Sequence, residues 1–184
     1  MNEIGHNRGP SMDQGTSWRR HCWGQARAAL LPHLPIEVVR LRVRRAAELG
    51  LDYRTYAGVR ASTGRDLVAF LFSSNALGLR PQLPELGAMQ SEKLARLAGC
   101  GRIVLVHAPL VAEDIRMAAS VIDDAHPAPG LLAPDRTIRS HLRAALGSLP
   151  ADAVLLIGAH GLERDWCAAG RLAGYVTAER FFAQ

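Results

Sequence analysis

The sequence predicts an α/β fold: a small parallel sheet over residues 64–184, preceded by an α-helical N-terminal segment. From Asp66 onward, short apolar runs bounded by turn residues alternate with stretches of helical periodicity. The runs Leu67–Phe72, Arg102–Val106 and Ala153–Ile157 are continuous rather than alternating, as expected of strands covered on both faces. Strands that alternate with helices imply parallel pairing through helical crossovers, which makes the domain Rossmann-like.

The elements follow in order. Residues 1–16 carry Gly5, Gly9, Pro10, Ser11 and Gly15 with almost nothing apolar, so they read as a disordered tail that cannot offset the entropy of ordering. Its Ile4-Gly5-His6-Asn7 run resembles a short terminal tag. Residues 17–63 form a basic helical segment. A first helix is expected over 17–31, where Trp18, Trp23 and Leu30 recur before Pro32 and Pro35 stop it. A second runs from Pro35 to Gly50, with Ile36, Val39, Val43, Ala46 and Ala47 on its apolar face. Leu51–Thr63 fits a helix–loop–helix that does not match a DNA-reading helix-turn-helix. Within the α/β domain, helices are expected over Ser91–Ala98, Ala112–Val121 and Ile138–Leu146, and a short strand at Gly174–Val176 brings the sheet to four.

A chain of 184 residues, 48% hydrophobic and 21% charged, is long enough for one well-buried core with an appended segment. No run approaches the roughly 20 apolar residues of a membrane span, and the first residues lack an apolar signal core, so a cytoplasmic, non-membrane protein is expected. Cys22, Cys100 and Cys167 are few and far apart, which argues for free thiols, buried ones at Cys100 and Cys167. The net charge of +5 is concentrated at one end. Residues 1–65 hold eleven arginines against five acids, while residues 66–184 are close to neutral. A basic segment beside a neutral domain points to an acidic partner, either a protein surface or nucleic acid, with Arg40, Arg44 and Arg45 as contact residues. The chain also uses arginine almost wherever it needs a cation, Lys93 being its one lysine, so the same excess fits a solvated face.

Ligands of parallel sheets bind at the carboxyl ends of the strands, where the sequence offers Ser73-Ser74-Asn75, His107-Ala108-Pro109 and Gly158-Ala159-His160-Gly161. Ser73, Ser74 and Asn75 are candidate anion-binding residues, and Ser73, His107 and His160 the candidate catalytic ones. Neither serine sits in a G-x-S-x-G turn, and no phosphate-cradling glycine loop is present.

Over about residues 64–184 the arrangement of segments resembles the haloacid dehalogenase-like hydrolases. Val68-Ala69-Phe70-Leu71-Phe72-Ser73-Ser74-Asn75 stands where that family carries its two catalytic aspartates, which aligns Leu71 and Ser73 with them. His107 stands where the second strand delivers a Ser or Thr, and Ala133 precedes Pro134 where a lysine is usual. Ile157-Gly158-Ala159 through Asp165 resembles the metal-binding motif with Ala159 in place of its first acid, leaving Glu163 and Asp165 as the candidate metal ligands. Asp165-Trp166-Cys167-Ala168-Ala169 and Ala173-Gly174-Tyr175-Val176 continue the likeness through the following helix and strand. The resemblance implies a degenerate member: an aspartyl-phosphate route needs a carboxylate nucleophile and a magnesium-binding carboxylate, so neither phosphatase activity nor a Mg²⁺ cofactor is expected. The favoured reading is a non-catalytic binding or regulatory protein. The alternatives are an enzyme of altered hydrolase-type chemistry using the loop histidines and serines, and a nucleic-acid binder acting through its arginine-rich helices, whose binding would weaken steeply with salt.

Overall fold

A computed structural model describes residues 34–183. The chain divides into two units, Met1–Val39 and Arg40–Gln184, and of the first only residues 34–39 are described. The expected tail and the expected helix over 17–31 lie outside the described residues.

Two helices, α1 (Ile36–Glu48) and α2 (Tyr53–Thr63), precede a five-stranded sheet. Its strands are β1 (Ala69–Ser73), β2 (Gly101–Val106), β3 (Asp124–Pro127), β4 (Val154–Gly158) and β5 (Gly174–Thr177). Between them run α3 (Ala88–Arg96), α4 (Ala112–Ala118), α5 (Asp135–Leu146) and α6 (Arg164–Gly170), and α7 (Ala178–Phe182) follows β5. The sheet is all parallel in the order β3-β2-β1-β4-β5. That is the doubly wound arrangement, and its switch point falls between β1 and β4, where the chain returns from the β2–β3 side.

Alternation along each strand builds two cores. Phe70, Phe72, Val104, Leu155 and Ile157 face one side, where Leu49, Tyr56, Leu94, Ile115 and Phe181 cover them. Leu71, Ile103, Leu105 and Leu156 face the other, under Ile138 and Leu142 of α5 and Trp166 of α6. Phe70, Phe72 and Phe181 pack with ring centroids 5.4–5.8 Å apart, within the range favoured by aromatic pairs.

The sheet has one strand more than the four expected. β3 reads Asp-Ala-His-Pro, with none of the β-branched or aromatic residues that mark a strand in sequence. It lies at an edge, paired only with β2, where a proline costs no ladder hydrogen bond on its free side.

The face of α1 expected to be covered is also corrected. Val43 is 48% exposed and Leu41 60%, while Ala46 and Leu49 are buried. The rotation is set by Arg45, whose half-buried guanidinium anchors the end of the helix. Nε donates to Asp66 Oδ2 (3.1 Å), Nη1 to Glu48 Oε2 (3.1 Å) and the Ala98 carbonyl (3.0 Å), and Nη2 to the carbonyls of Leu67 (3.2 Å) and Gly99 (2.9 Å). The Tyr56 hydroxyl donates to the other oxygen of Asp66 (2.8 Å). Burial pushes the Asp66 carboxyl up, but the Tyr56 and Arg45 contacts outweigh it and hold the group below its ordinary range. Arg45 thus joins α1 to the approaches of β1 and β2.

No helix among the described residues is long and apolar enough to cross a membrane. Cys100 and Cys167 are free thiols, half-buried rather than buried, and burial pushes both thiols up.

Candidate functional site

The carboxyl ends of β1, β2 and β4 flank the crevice expected at the switch point of such a sheet, and the loops that leave them meet at Glu163. This residue closes a single 3-10 turn, Gly161–Glu163, that leads from β4 into α6. Its side chain has no solvent exposure and is held from three loops. Oε1 accepts from Asn75 Nδ2 (3.0 Å) after β1 and lies 3.3 Å from His107 Nε2 after β2. Oε2 accepts from the backbone N–H groups of Ala159 (2.6 Å) and His160 (3.2 Å). The last contact is the reach-back of a capping-box glutamate toward the residue that opens its helical turn.

Burial alone pushes the Glu163 carboxyl up. Hydrogen bonds from His107, Asn75 and the two backbone amides outweigh that effect and bring it from its ordinary 4.5 down to about 2. Glu163 is therefore ionised at neutral pH and can only accept, so His107 donates through a protonated Nε2. The imidazole also lies over Trp166, with ring centroids 5.3 Å apart and planes at 32°. Trp166 is fully buried, and its Nε1 is the one buried side-chain nitrogen or oxygen among the described residues with no hydrogen-bond partner.

The serines turn inward. Ser73 Oγ accepts from the Ala76 N–H (3.0 Å), Ser74 Oγ accepts from the His107 N–H (3.0 Å), and both residues are buried. Ser74 thus fixes the backbone that presents His107, while Ser73 caps the turn leaving β1. His160 is exposed and contributes through its backbone, its carbonyl accepting from the Tyr175 hydroxyl (2.9 Å). Gly158 is needed at the end of β4: a Cβ there would stand 2.6 Å from Glu163 Oε2 and 2.6 Å from a Tyr175 ring carbon.

Placement of the other candidates is mixed. Leu71, aligned above with a catalytic aspartate, is a fully buried residue of mid-β1, opposite Ile103 and Leu156, and does not reach the crevice. The positions at the strand end are Ser73 and Asn75. Asp165 is exposed on the first turn of α6 and does not join Glu163, and no group of three or more metal-ligating side chains occurs among the described residues. Arg40 and Arg44 are exposed on α1, whereas Arg45 is engaged by the five acceptors described above.

Sequence reading found the three loops but not the residues that tie them together. The Asn75–Glu163 contact joins positions 88 apart, and nothing local signals it. Nor does any local pattern mark Trp166 as the platform under His107. Comparison with known protein families, curated proteins and solved structures finds no match to this chain.

Proposed function

We propose that the protein is a non-catalytic binding or regulatory module of the haloacid dehalogenase-like type, in which the crevice that would hold a reaction centre is latched shut by Glu163. The observation that carries this reading is the engagement of both Glu163 oxygens by donors from three loops. A carboxylate so bound has no lone pair directed outward for a metal or for attack on a substrate. A phosphate entering the crevice would meet this buried negative charge. Support for the family type comes from the order of segments over residues 64–184 together with an all-parallel sheet of the doubly wound order. Arg40 and Arg44, exposed on α1, belong to the surface offered to an acidic partner.

One observation favours an acid–base enzyme instead: His107 is partly exposed and paired to a buried carboxylate, the arrangement by which a histidine is oriented for proton transfer. One assay separates the two readings. Purified protein incubated with p-nitrophenyl phosphate is expected to show no hydrolysis above buffer, with or without Mg²⁺. Turnover abolished by His107→Ala would establish the acid–base reading in its place.

A further inference from the structure

We infer a second binding site, where α5 and α6 finish beside the amino ends of β4 and β5, for a small dianion carried on an apolar body. Arg136, Arg139 and Arg143 recur on α5 at i, i+3 and i+7, within about 60° of arc on one side of the helix. Arg139 and Arg143 line a cavity of about 400 Å³ with Arg171, the residue that ends α6. Leu142, Leu146 and Leu149 supply its apolar wall, and no carboxylate lines it. An adjoining cavity of about 540 Å³ shares Arg139 and Arg171 but brings in Asp135 and Asp165, so the all-cationic end is the former. Both volumes fall in the range of small-ligand sites.

The described arginines divide by their partners, and those at this cavity share the lack of a carboxylate with Arg42, Arg44, Arg54, Arg80 and Arg164, from which their gathering around one cavity sets them apart. Arg45, Arg60, Arg65, Arg96, Arg102, Arg116 and Arg180 each pair with a carboxylate. Among the described residues neither Arg143 nor Arg171 has one. Arg171 is also the only described non-glycine residue at positive φ, with φ 54° and ψ 42°. Helices commonly end this way with glycine, which adopts the left-handed conformation without strain. An arginine held there in a strained backbone, facing a cationic cavity, is the kind of outlier that marks a site in use.

Charge selects the ligand. The carboxyl ends of α5 and α6 border the same cavity, and each contributes about half a negative charge. Against three guanidinium groups this leaves about two positive charges, which matches a dianion better than a monoanion. Guanidinium forks donate to phosphate and paired carboxylates alike, and the leucine wall suits an apolar body.

Calorimetric titration of the full chain with phenyl phosphate, phenylmalonate and benzoate tests the inference. Wild type is expected to bind at least one of the two dianions ten-fold or more tightly than benzoate, and the stronger of the pair identifies the oxyanion the site takes. Arg171→Gly relieves the strain and is expected to melt higher than wild type while losing ten-fold or more in dianion affinity, which separates loss of the site from loss of the fold. Arg143→Gln is expected to lose a similar factor at unchanged melting temperature. Equal binding of benzoate and both dianions by wild type, or undiminished dianion binding by Arg171→Gly, overturns the site.

Discussion

Leu71→Asp is expected to abolish cooperative folding at neutral pH, while Leu71→Met folds normally. Leu71 has no exposed surface and lies between Ile103 and Leu156 in the sheet, under Ile138, Leu142 and Trp166. An aspartate there loses the burial of a leucine, a change of about 2–5 kcal/mol when the side chain is truncated. It also places a carboxylate among apolar groups with no donor, at an effective cost of several kcal/mol more. Together these approach the whole stability of an ordinary domain, about 5–15 kcal/mol. Methionine conserves volume and costs less than about 1.5 kcal/mol. Urea titrations followed by circular dichroism compare the variants directly. A cooperative transition for Leu71→Asp near that of wild type would mean that position 71 opens onto the crevice after all.

Glu163→Ala is expected to destabilise the domain by about 3–5 kcal/mol, since it leaves the Asn75 amide, His107 and two backbone N–H groups without their acceptor. In a domain of this size that lowers the melting temperature by about 6–20 °C. Glu163→Gln keeps the shape and removes the charge, so it isolates the pH dependence. A carboxyl whose folded pKa lies below its unfolded value stabilises the fold above the unfolded value, and that contribution disappears as pH falls toward the folded one. For Glu163 the window runs from its ordinary 4.5 down to about 2. Wild type should therefore exceed Glu163→Gln most clearly above that window, and the gap should narrow through it. Asp52, Asp66 and Asp123 are also held low, but they titrate in both proteins and cancel in the difference. A gap that stays constant with pH would mean that Glu163 carries no charge-dependent role.

Much of the sheet was legible because three of its strands are buried on both faces, and burial writes itself as unbroken apolar runs such as Val154–Gly158. β3 escaped because an edge strand can be made of Asp, His and Pro. The orientation of α1 escaped for a different reason: a periodicity argument counts Val43 as core and Arg45 as surface, whereas five acceptors make Arg45 an anchor. At the crevice, the rule that ligands gather at strand ends located the loops, while Glu163 entered with Asp165 only as a candidate metal ligand through the family resemblance, and its complete burial is not written in the local sequence. Its pairing with Asn75 and His107 depends on the sheet order, which no local pattern states. Summed charge misled in a similar way. Residues 66–184 are close to neutral in total, and that total conceals Arg139, Arg143 and Arg171 gathered around one cavity.

Glu163, ionised and engaged at both oxygens, is expected to behave as a latch rather than as a free catalytic or metal-binding carboxylate. The direct measurement is a ¹³C NMR titration of its side-chain carboxyl, with and without Mg²⁺. The expected result is a midpoint at about 2, no titration step near the ordinary 4.5, and no change on adding the metal. A midpoint at or above 4.5, or a resonance that moves with Mg²⁺, would contradict it.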